Sequence, residues 1–368
     1  MKVRLGDVCD KASSSIIQKS LEGHEGKYPI YGASGLIKYV DFYQREKPYI
    51  AVVKDGAGIG RVMKLPAYSS VIGTMQYIIP HEKVDINYLV YSMEYMNLAK
   101  YFSGATIPHI YFRDYQKEPL NLPEIKVQKK IGGILSNIEK LIAFRNQELS
   151  KFDQLVKSRF IELFGDPVSN DKFWNLAILQ DVTSKIGSGA TPKGGKSSYQ
   201  KEGIPFIRSM NVHDGVFLSK DLAYLSDKQA KQLENVIVKE NDVLLNITGA
   251  SVARSCIVPK TVIPARVNQH VSIIRCIPKY LNPEFLNKLF LHHRYKNLLL
   301  SLGEAGGATR QAITKSQLEK LQIILPPLTL QNEFADFVQQ VDKSKLAVQK
   351  SLEKLEILKK SLMQQYFG

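Results

Sequence analysis

The stretch KDGAGIGRV, Lys54 to Val62, sets three glycines between two basic residues directly after an apolar run. Such a composition can cradle a phosphate-bearing cofactor, because glycine lets backbone N–H groups approach an anion closely. The spacing argues otherwise. It is G-x-G-x-G and not G-x-G-x-x-G, and no acidic residue follows at the distance a dinucleotide site requires. The chain also lacks an Asn-Pro-Pro-Tyr or Asp-Pro-Pro-Tyr sequence, the signature of one class of methyl transfer. No catalytic residue, metal ligand or cofactor is assigned, and the segment reads as a tight turn.

The same turn occurs twice. ITGASVARS, Ile247 to Ser255, matches it 193 positions later; Gly56 is kept as Gly249, whereas Gly58 and Gly60 become Ser251 and Ala253. A phosphate loop serving both copies would keep its glycines. Arg61 and Arg254 are retained, as are Gln76 and Gln269, the latter within Asn268-Gln269-His270. Arginine and the amides are the side chains that pair bidentately with guanine and adenine edges. Their blander reading is solvent-facing polar residues, or amides that satisfy buried backbone.

Other segments repeat at their own offset. GATIPHI from Gly104 and GATRQAI from Gly307 lie 203 positions apart, as do NLPEIKVQ from Asn121 and ILPPLTLQ from Ile324. That offset still holds at Phe164-Gly165 and Phe367-Gly368. Each half is therefore a variable globular region followed by a long segment, a pseudo-two-fold internal repeat.

The long segments carry a helical rhythm. Ile131, Leu135, Ile138, Ile142, Leu149, Phe152 and Val156 follow steps of three, four and seven, and Phe334, Val338, Val341, Val348, Leu352, Leu355 and Leu362 do the same in the second copy. This is the a/d seam of a coiled coil. Arg145 and Arg159 interrupt the first seam, Lys345 and Lys359 the second, at staggered places. Long basic side chains can lay their stems along a seam and keep the charge in water. Pro123 and Pro326-Pro327 mark the helix starts, and Gly165-Asp166-Pro167 a stop. Two such helices separated by a globular region close most simply by antiparallel pairing.

Composition bounds what the assembly can do. The chain has 368 residues, 44% hydrophobic and 23% charged, which suits about two folded domains. No apolar run approaches a membrane span and the first residues lead into no signal core, so a cytoplasmic protein is expected. Three cysteines without CxxC spacing indicate neither a disulfide framework nor zinc. The net charge of +15 attracts phosphate-rich partners, nucleic acid above all.

With these features in place, the sequence resembles the specificity subunits of type I restriction–modification systems. The resemblance rests on the two-fold plan, LPPLTLQNEF (Leu325 to Phe334) opening a long helix, FGDP (Phe164 to Pro167), ITGASVAR and NQHVSII. The first half departs from it: NLPEIKVQKKI lacks the double proline, and Met75-Gln76 stands where the second copy has an Asn-Gln pair.

The resemblance implies an α+β protein with two α/β globular target-recognition domains, separated by two long antiparallel coiled-coil helices. The domains are residues 1–120 and 166–325; the helices are 121–165 and 326–368. The implied partners are double-stranded DNA, two copies of a methyltransferase subunit and a restriction/translocase subunit, with no membrane. The chain itself would be non-catalytic, its methyltransferase partners bringing S-adenosylmethionine. The expected DNA contacts are Lys54, Arg61, Gln76, His109 and Arg113 in the first half. In the second they are Lys193, Lys196, Arg208, Asn211, Arg254, Asn268, Gln269, His270 and Arg310. Two rivals make different demands. An S-adenosylmethionine-dependent DNA methyltransferase would bind that cofactor by itself, and a non-DNA coiled-coil adaptor would bind its partner with little salt dependence.

Overall fold

Tyr49–Val53 is apolar at every position because it is an inner strand buried on both faces. Around such strands the chain, in a computed structural model describing residues 1–104, 108–304 and 311–368, gathers into two units. One comprises Met1–Glu148 with Val348–Gly368, the other Leu149–Ala347.

In the first unit, β1 (Lys2–Arg4) precedes β2 (Cys9–Ser13), β3 (Tyr28–Gly32), β4 (Gly35–Val40), β5 (Tyr49–Val53), β6 (Val62–Leu65), β7 (Ser70–Val71) and β8 (Met75–Pro80). Then come α1 (Ile86–Tyr95), the single turn α2 (Phe112–Tyr115), β9 (Pro119–Asn121) and the start of the 40-residue helix α3 (Ile125–Phe164). Strands in the order β2-β8-β5-β6 make an antiparallel sheet. A second sheet, β4-β3-β7, has one parallel pair, and β1 pairs with β9.

The second unit repeats this plan. Its strands are β10 (Leu176–Ile178), β11 (Thr183–Ser188), β12 (Ile204–Ile207), β13 (Val212–His213), β14 (Val216–Phe217) and β15 (Ala223–Leu225). After α4 (Asp227–Lys231) follow β16 (Ile237–Val238), β17 (Val243–Asn246), β18 (Ser255–Ile257), β19 (Ala265–Val267) and β20 (Val271–Cys276). The helices α5 (Pro283–Leu291), α6 (His293–Glu304) and α7 (Lys315–Glu319), strand β21 (Gln322–Ile324) and α8 (Leu328–Phe367) complete the chain. Order β11-β20-β17-β18 mirrors the first antiparallel sheet. The second sheet, β15-β12-β19-β16, again has one parallel pair, β12 with β19, and β10 pairs with β21. The α+β content thus agrees with expectation. The α/β character expected inside each globular region does not: the strands pair almost wholly antiparallel, by hairpins and long returns and not by βαβ crossovers.

Both long helices form where the rhythm predicts, after Pro123 and Pro327. The α3 helix stops at Phe164, before Gly165. All fourteen seam residues are buried or half-buried, with Leu135, Phe334 and Val338 fully so. Burying one such side chain contributes about 1.5–3 kcal/mol. Within the first unit, Ile131 and Leu135 share a core with Met363, and Lys359 Nζ lies 2.5 Å from Glu139 Oε1. Within the second, Phe160 and Phe164 pack with Phe334 and Val338. There Lys345 reaches Asp153 at 2.6 Å, and Arg159 reaches Glu333 at 2.8 Å. In each unit the numbering of the paired segments runs in opposite directions. Arg145, Arg159, Lys345 and Lys359 are half-buried, their stems on the seam and their charges answered by carboxylates.

Candidate nucleic-acid interface

The glycine turn links two strands in each unit through the same backbone hydrogen bonds. Val53 N–H donates to the Arg61 carbonyl and Gly60 N–H to that of Val53; Asn246 donates to Arg254 and Ala253 to Asn246. Ile59 and Arg61 donate to Gly56 and Gly58, as Val252 and Arg254 do to Gly249 and Ser251. The segment that leads to the long helix then docks on the turn. Gly56 donates to Pro108 and Ile110 to Lys54; Gly249 donates to Gln311 and Ile313 to Ile247. Six bonds are thus matched pair by pair.

Left-handed backbone and close packing together bear on the glycines of this turn. Gly56 and Gly249 have φ of +81° and +73° and open space around them. Gly60, at +78°, would drive a Cβ to 2.4 Å from the Ala99 backbone nitrogen, so only glycine fits there. Its partner Ala253 keeps the left-handed backbone, at +65°, at the modest cost that conformation exacts from an L-residue. The backbone bonds of this segment close a turn that presents side chains.

In the second unit those side chains line a groove of about 570 Å³. Ser209, Met210, Thr248 to Ser251, Arg254, His270, Gln311 and Ala312 surround it. The Thr248 hydroxyl contacts His270 Nδ1. A guanidinium, an imidazole, an amide and hydroxyls therefore converge on half-buried glycine backbone, a set that can hydrogen-bond to base edges or phosphate. Beside it runs the loop Gly187 to Tyr199, carrying exposed Lys193 and Lys196. The root of this loop is stitched to the Asn268-Gln269 segment: Gly189 N–H donates to the Asn268 carbonyl at 3.1 Å, and the Thr191 hydroxyl to Gln269 Oε1. A Cβ on Gly189 would lie 1.7 Å from the Val267 carbonyl oxygen. Arg208 donates to the Asp221 carbonyl and covers the Tyr199 ring at 5.6 Å.

In the first unit Arg61 is exposed and its Nη1 donates to the Ala33 carbonyl at 2.7 Å. Lys54 Nζ stands 3.7 Å from Asp55 Oδ2, and Asp55 Oδ1 contacts His109 Nδ1. Burial, with the Lys54 ammonium nearby, holds His109 below the ordinary imidazole range. Arg113 is exposed and lies over the Tyr111 ring at 4.6 Å.

Three expected contacts are corrected by the fold. Gln76 is buried and its Oε1 accepts from the Tyr115 hydroxyl at 2.7 Å. Asn211 is fully buried, accepting from Arg208 N–H and donating to the Leu218 and Lys220 carbonyls. Asn268 is buried and its Oδ1 accepts from His270 N–H at 3.0 Å. Asn211 spends both ends of its amide on backbone, and the Gln76 and Asn268 amide oxygens are spent inside the fold. Arg310 lies outside the described residues. Sequence reasoning also missed Asp55, Thr248, Ser209 and Gln311. The signal for two of them was available, since Asp55 and Thr248 immediately precede the glycine both copies keep.

Other chemistry finds little support among the described residues. No cluster of three His, Cys, Asp or Glu side chains is placed to hold a metal. Cys9, Cys256 and Cys276 are buried, which pushes each thiol up to about 12, so none is a ready thiolate nucleophile. No described helix is long and apolar enough to cross a membrane.

Residues 1–152 and 172–358 match the family model described as type I restriction modification DNA specificity domain. The type I restriction enzyme MjaVIII specificity subunit of Methanocaldococcus jannaschii is 24% identical over 98% of this chain and 90% of its own. The MjaIX specificity subunit of the same organism is 22% identical over 78% of this chain and 69% of its own. Among solved structures, the S subunit of a type I restriction-modification system from M. genitalium aligns with a TM-score of 0.70 at 14% identity. That alignment covers 100% of this chain and 96% of the other.

Proposed function

Because the chain belongs to the family of type I restriction–modification specificity subunits, we propose that each of its globular regions reads one half of a split, asymmetric DNA site. The observation that carries this reading is the glycine turn, built twice on matched backbone bonds yet dressed with different side chains. One scaffold with two sets of readers suits two unlike half-sites. The surrounding chemistry fits duplex DNA: Lys193 and Lys196 suit phosphate, and Arg254, His270 and Gln269 suit base edges.

In this reading the domains are residues 1–120 and 166–325, and the two long helices pair as an antiparallel coiled-coil spacer. A 40-residue helix is about 60 Å long, the length of roughly 17–18 base pairs at 3.4 Å each. The helices also dock two methyltransferase subunits, and a restriction/translocase subunit joins for cleavage. A solved structure on complex assembly and conformational transition of the type I system aligns with TM-score 0.57 over 100% of this chain, which supports a role within such a complex. The chain contributes recognition and leaves methyl transfer to its partners, in the cytoplasm where the DNA lies.

A methylation map of the host genome with and without this gene tests the reading. The expected result is loss of one split, adenine-methylated sequence on deletion. An unchanged map, with the neighbouring methyltransferase expressed, overturns it.

A further inference from the structure

We propose that Asp55 and His109 form an acceptor pair that reads an exocyclic amino group, adenine N6 or cytosine N4, in the half-site bound by the first unit. The inference rests on the reading of the glycine turn as a DNA-facing surface and adds the chemistry of one base position to it.

Asp55 directly precedes Gly56, and its backbone bridges that of His109 in antiparallel fashion. The side chains meet as well, Oδ1 against Nδ1. An ionised carboxylate only accepts hydrogen bonds, so Nδ1 carries the ring proton and Nε2 is left with a lone pair. The charge of Asp55 is already answered by Lys54, whose Nζ is 3.7 Å from Oδ2, which lets the imidazole remain neutral. Tyr111 packs on the imidazole with ring centroids 4.1 Å apart, and Arg113 covers Tyr111 in turn, so the ring is held in place. Both Asp55 and His109 side chains remain 26% exposed, enough to be met from outside.

Two acceptors side by side are anomalous on a basic surface meant for DNA. Phosphate oxygens are themselves acceptors, and neither the Asp55 carboxylate nor Nε2 offers them a proton. The donors that duplex DNA offers in its major groove are adenine N6 and cytosine N4. An acceptor pair at the tip of a base-reading turn therefore selects an amino-bearing base. The second unit lacks this device. Thr248 stands where the first has Asp55, and the imidazole it touches, His270, comes from a different segment. A hydroxyl donates as readily as it accepts, so it does not impose acceptor character.

The test uses the full chain assembled with its methyltransferase subunits, and duplexes carrying the mapped target. Each adenine or cytosine of the first unit's half-site is replaced in turn by purine or pyrimidin-2-one, which keep the ring and lack the amine. One position should lose about tenfold in affinity with the wild-type chain. That penalty should vanish in His109→Leu. It should also vanish in Asp55→Asn, whose amide can donate to Nδ1 and turn Nε2 into a donor. Amine removals in the other half-site should cost the same in all three proteins. The proposal is overturned if no amine in the first half-site matters to the wild-type chain, or if the penalty persists in both variants. Because the wild-type scan decides the first point, a variant that fails to assemble does not protect the idea. A wild-type chain that directs no split methylation at all would instead sink the broader reading.

Discussion

Gln128 and Gln331 hold the starts of the two long helices by the same three hydrogen bonds. Gln128 Oε1 accepts from Asp85 N–H at 2.9 Å, and its Nε2 donates to the Lys83 and Pro123 carbonyls at 3.2 and 2.8 Å. Gln331 accepts from Asn282 N–H at 2.9 Å and donates to Tyr280 and Pro326 at 3.2 and 2.8 Å. Both side chains are buried. Each thus ties a long helix to the residues that start a shorter one, since Asp85 and Asn282 cap α1 and α5.

Replacing Gln128 by leucine should therefore leave one N–H and two part-buried carbonyls without their partner. We expect a loss of about 2–3 kcal/mol, and the same for Gln331→Leu, read as a lowered denaturation midpoint. A loss under about 0.5 kcal/mol, the range of an ordinary surface change, would show that water replaces the amide without cost.

Exchange of residues 166–325 for the corresponding region of a relative should change one half of the methylated sequence and leave the other intact. Long-read methylation mapping gives the answer directly. If both halves changed together, the globular regions would not be independent readers.

Arg254 lines the groove of the second unit, and its guanidinium is not needed to complete the turn's backbone. Arg254→Ala should slow methylation of the wild-type target by roughly tenfold or more and relax one position of the second half-site. Unchanged kinetics on that target would exclude a direct role.

Lys193 and Lys196 project from a loop that is fixed at its root, so their substitution should spare sequence preference. The Lys193→Ala, Lys196→Ala double variant should bind all sequences more weakly. The slope of log affinity against log salt should fall by about two. A changed target sequence with an unchanged slope would mean that the loop reads bases.

Lys359 lies beside Glu139 and, at 3.7 Å, Glu94. Burial raises the Glu94 carboxyl above the ordinary range, and Lys359 opposes that rise. Between the unfolded value, about 4.3, and the higher folded one, the native state keeps a proton that the unfolded chain has lost. Stability therefore falls as pH rises across this window. In Lys359→Met the folded value climbs further, so the window widens. Solvent screening keeps the expected cost to about 0.5–1 kcal/mol at neutral pH, recovered as pH falls below the carboxylate range. A pH-independent loss, measured by thermal denaturation, would assign the effect to packing instead.

The seam of the long helices was legible because a helix buries one stripe, and Ile131 to Val156 spell that stripe locally. The turn was legible because Gly56 and Gly249 answer a backbone need that any second copy shares. The amides were not. Whether Gln76 faces a base or the core depends on Tyr115, 39 residues away, and Asn211 is consumed by carbonyls that only its own loop brings round. The contact of Asp55 with His109 spans 54 positions and has no short-range signature. Antiparallel pairing inside each globular region was equally hidden, since an apolar run such as Tyr49–Val53 suits a buried strand of either direction.

Ala253 carries a wider meaning. It shows that the turn tolerates a side chain where its twin needs glycine, with all six matched bonds intact. Backbone and vocabulary are thus uncoupled at this point of the molecule. A lineage can drift through new residues at positions 55, 57 or 61, and at 248, 250 or 254, while the scaffold that displays them stays folded. Point substitution at a few tips would then be enough to change what the molecule recognises without refolding it.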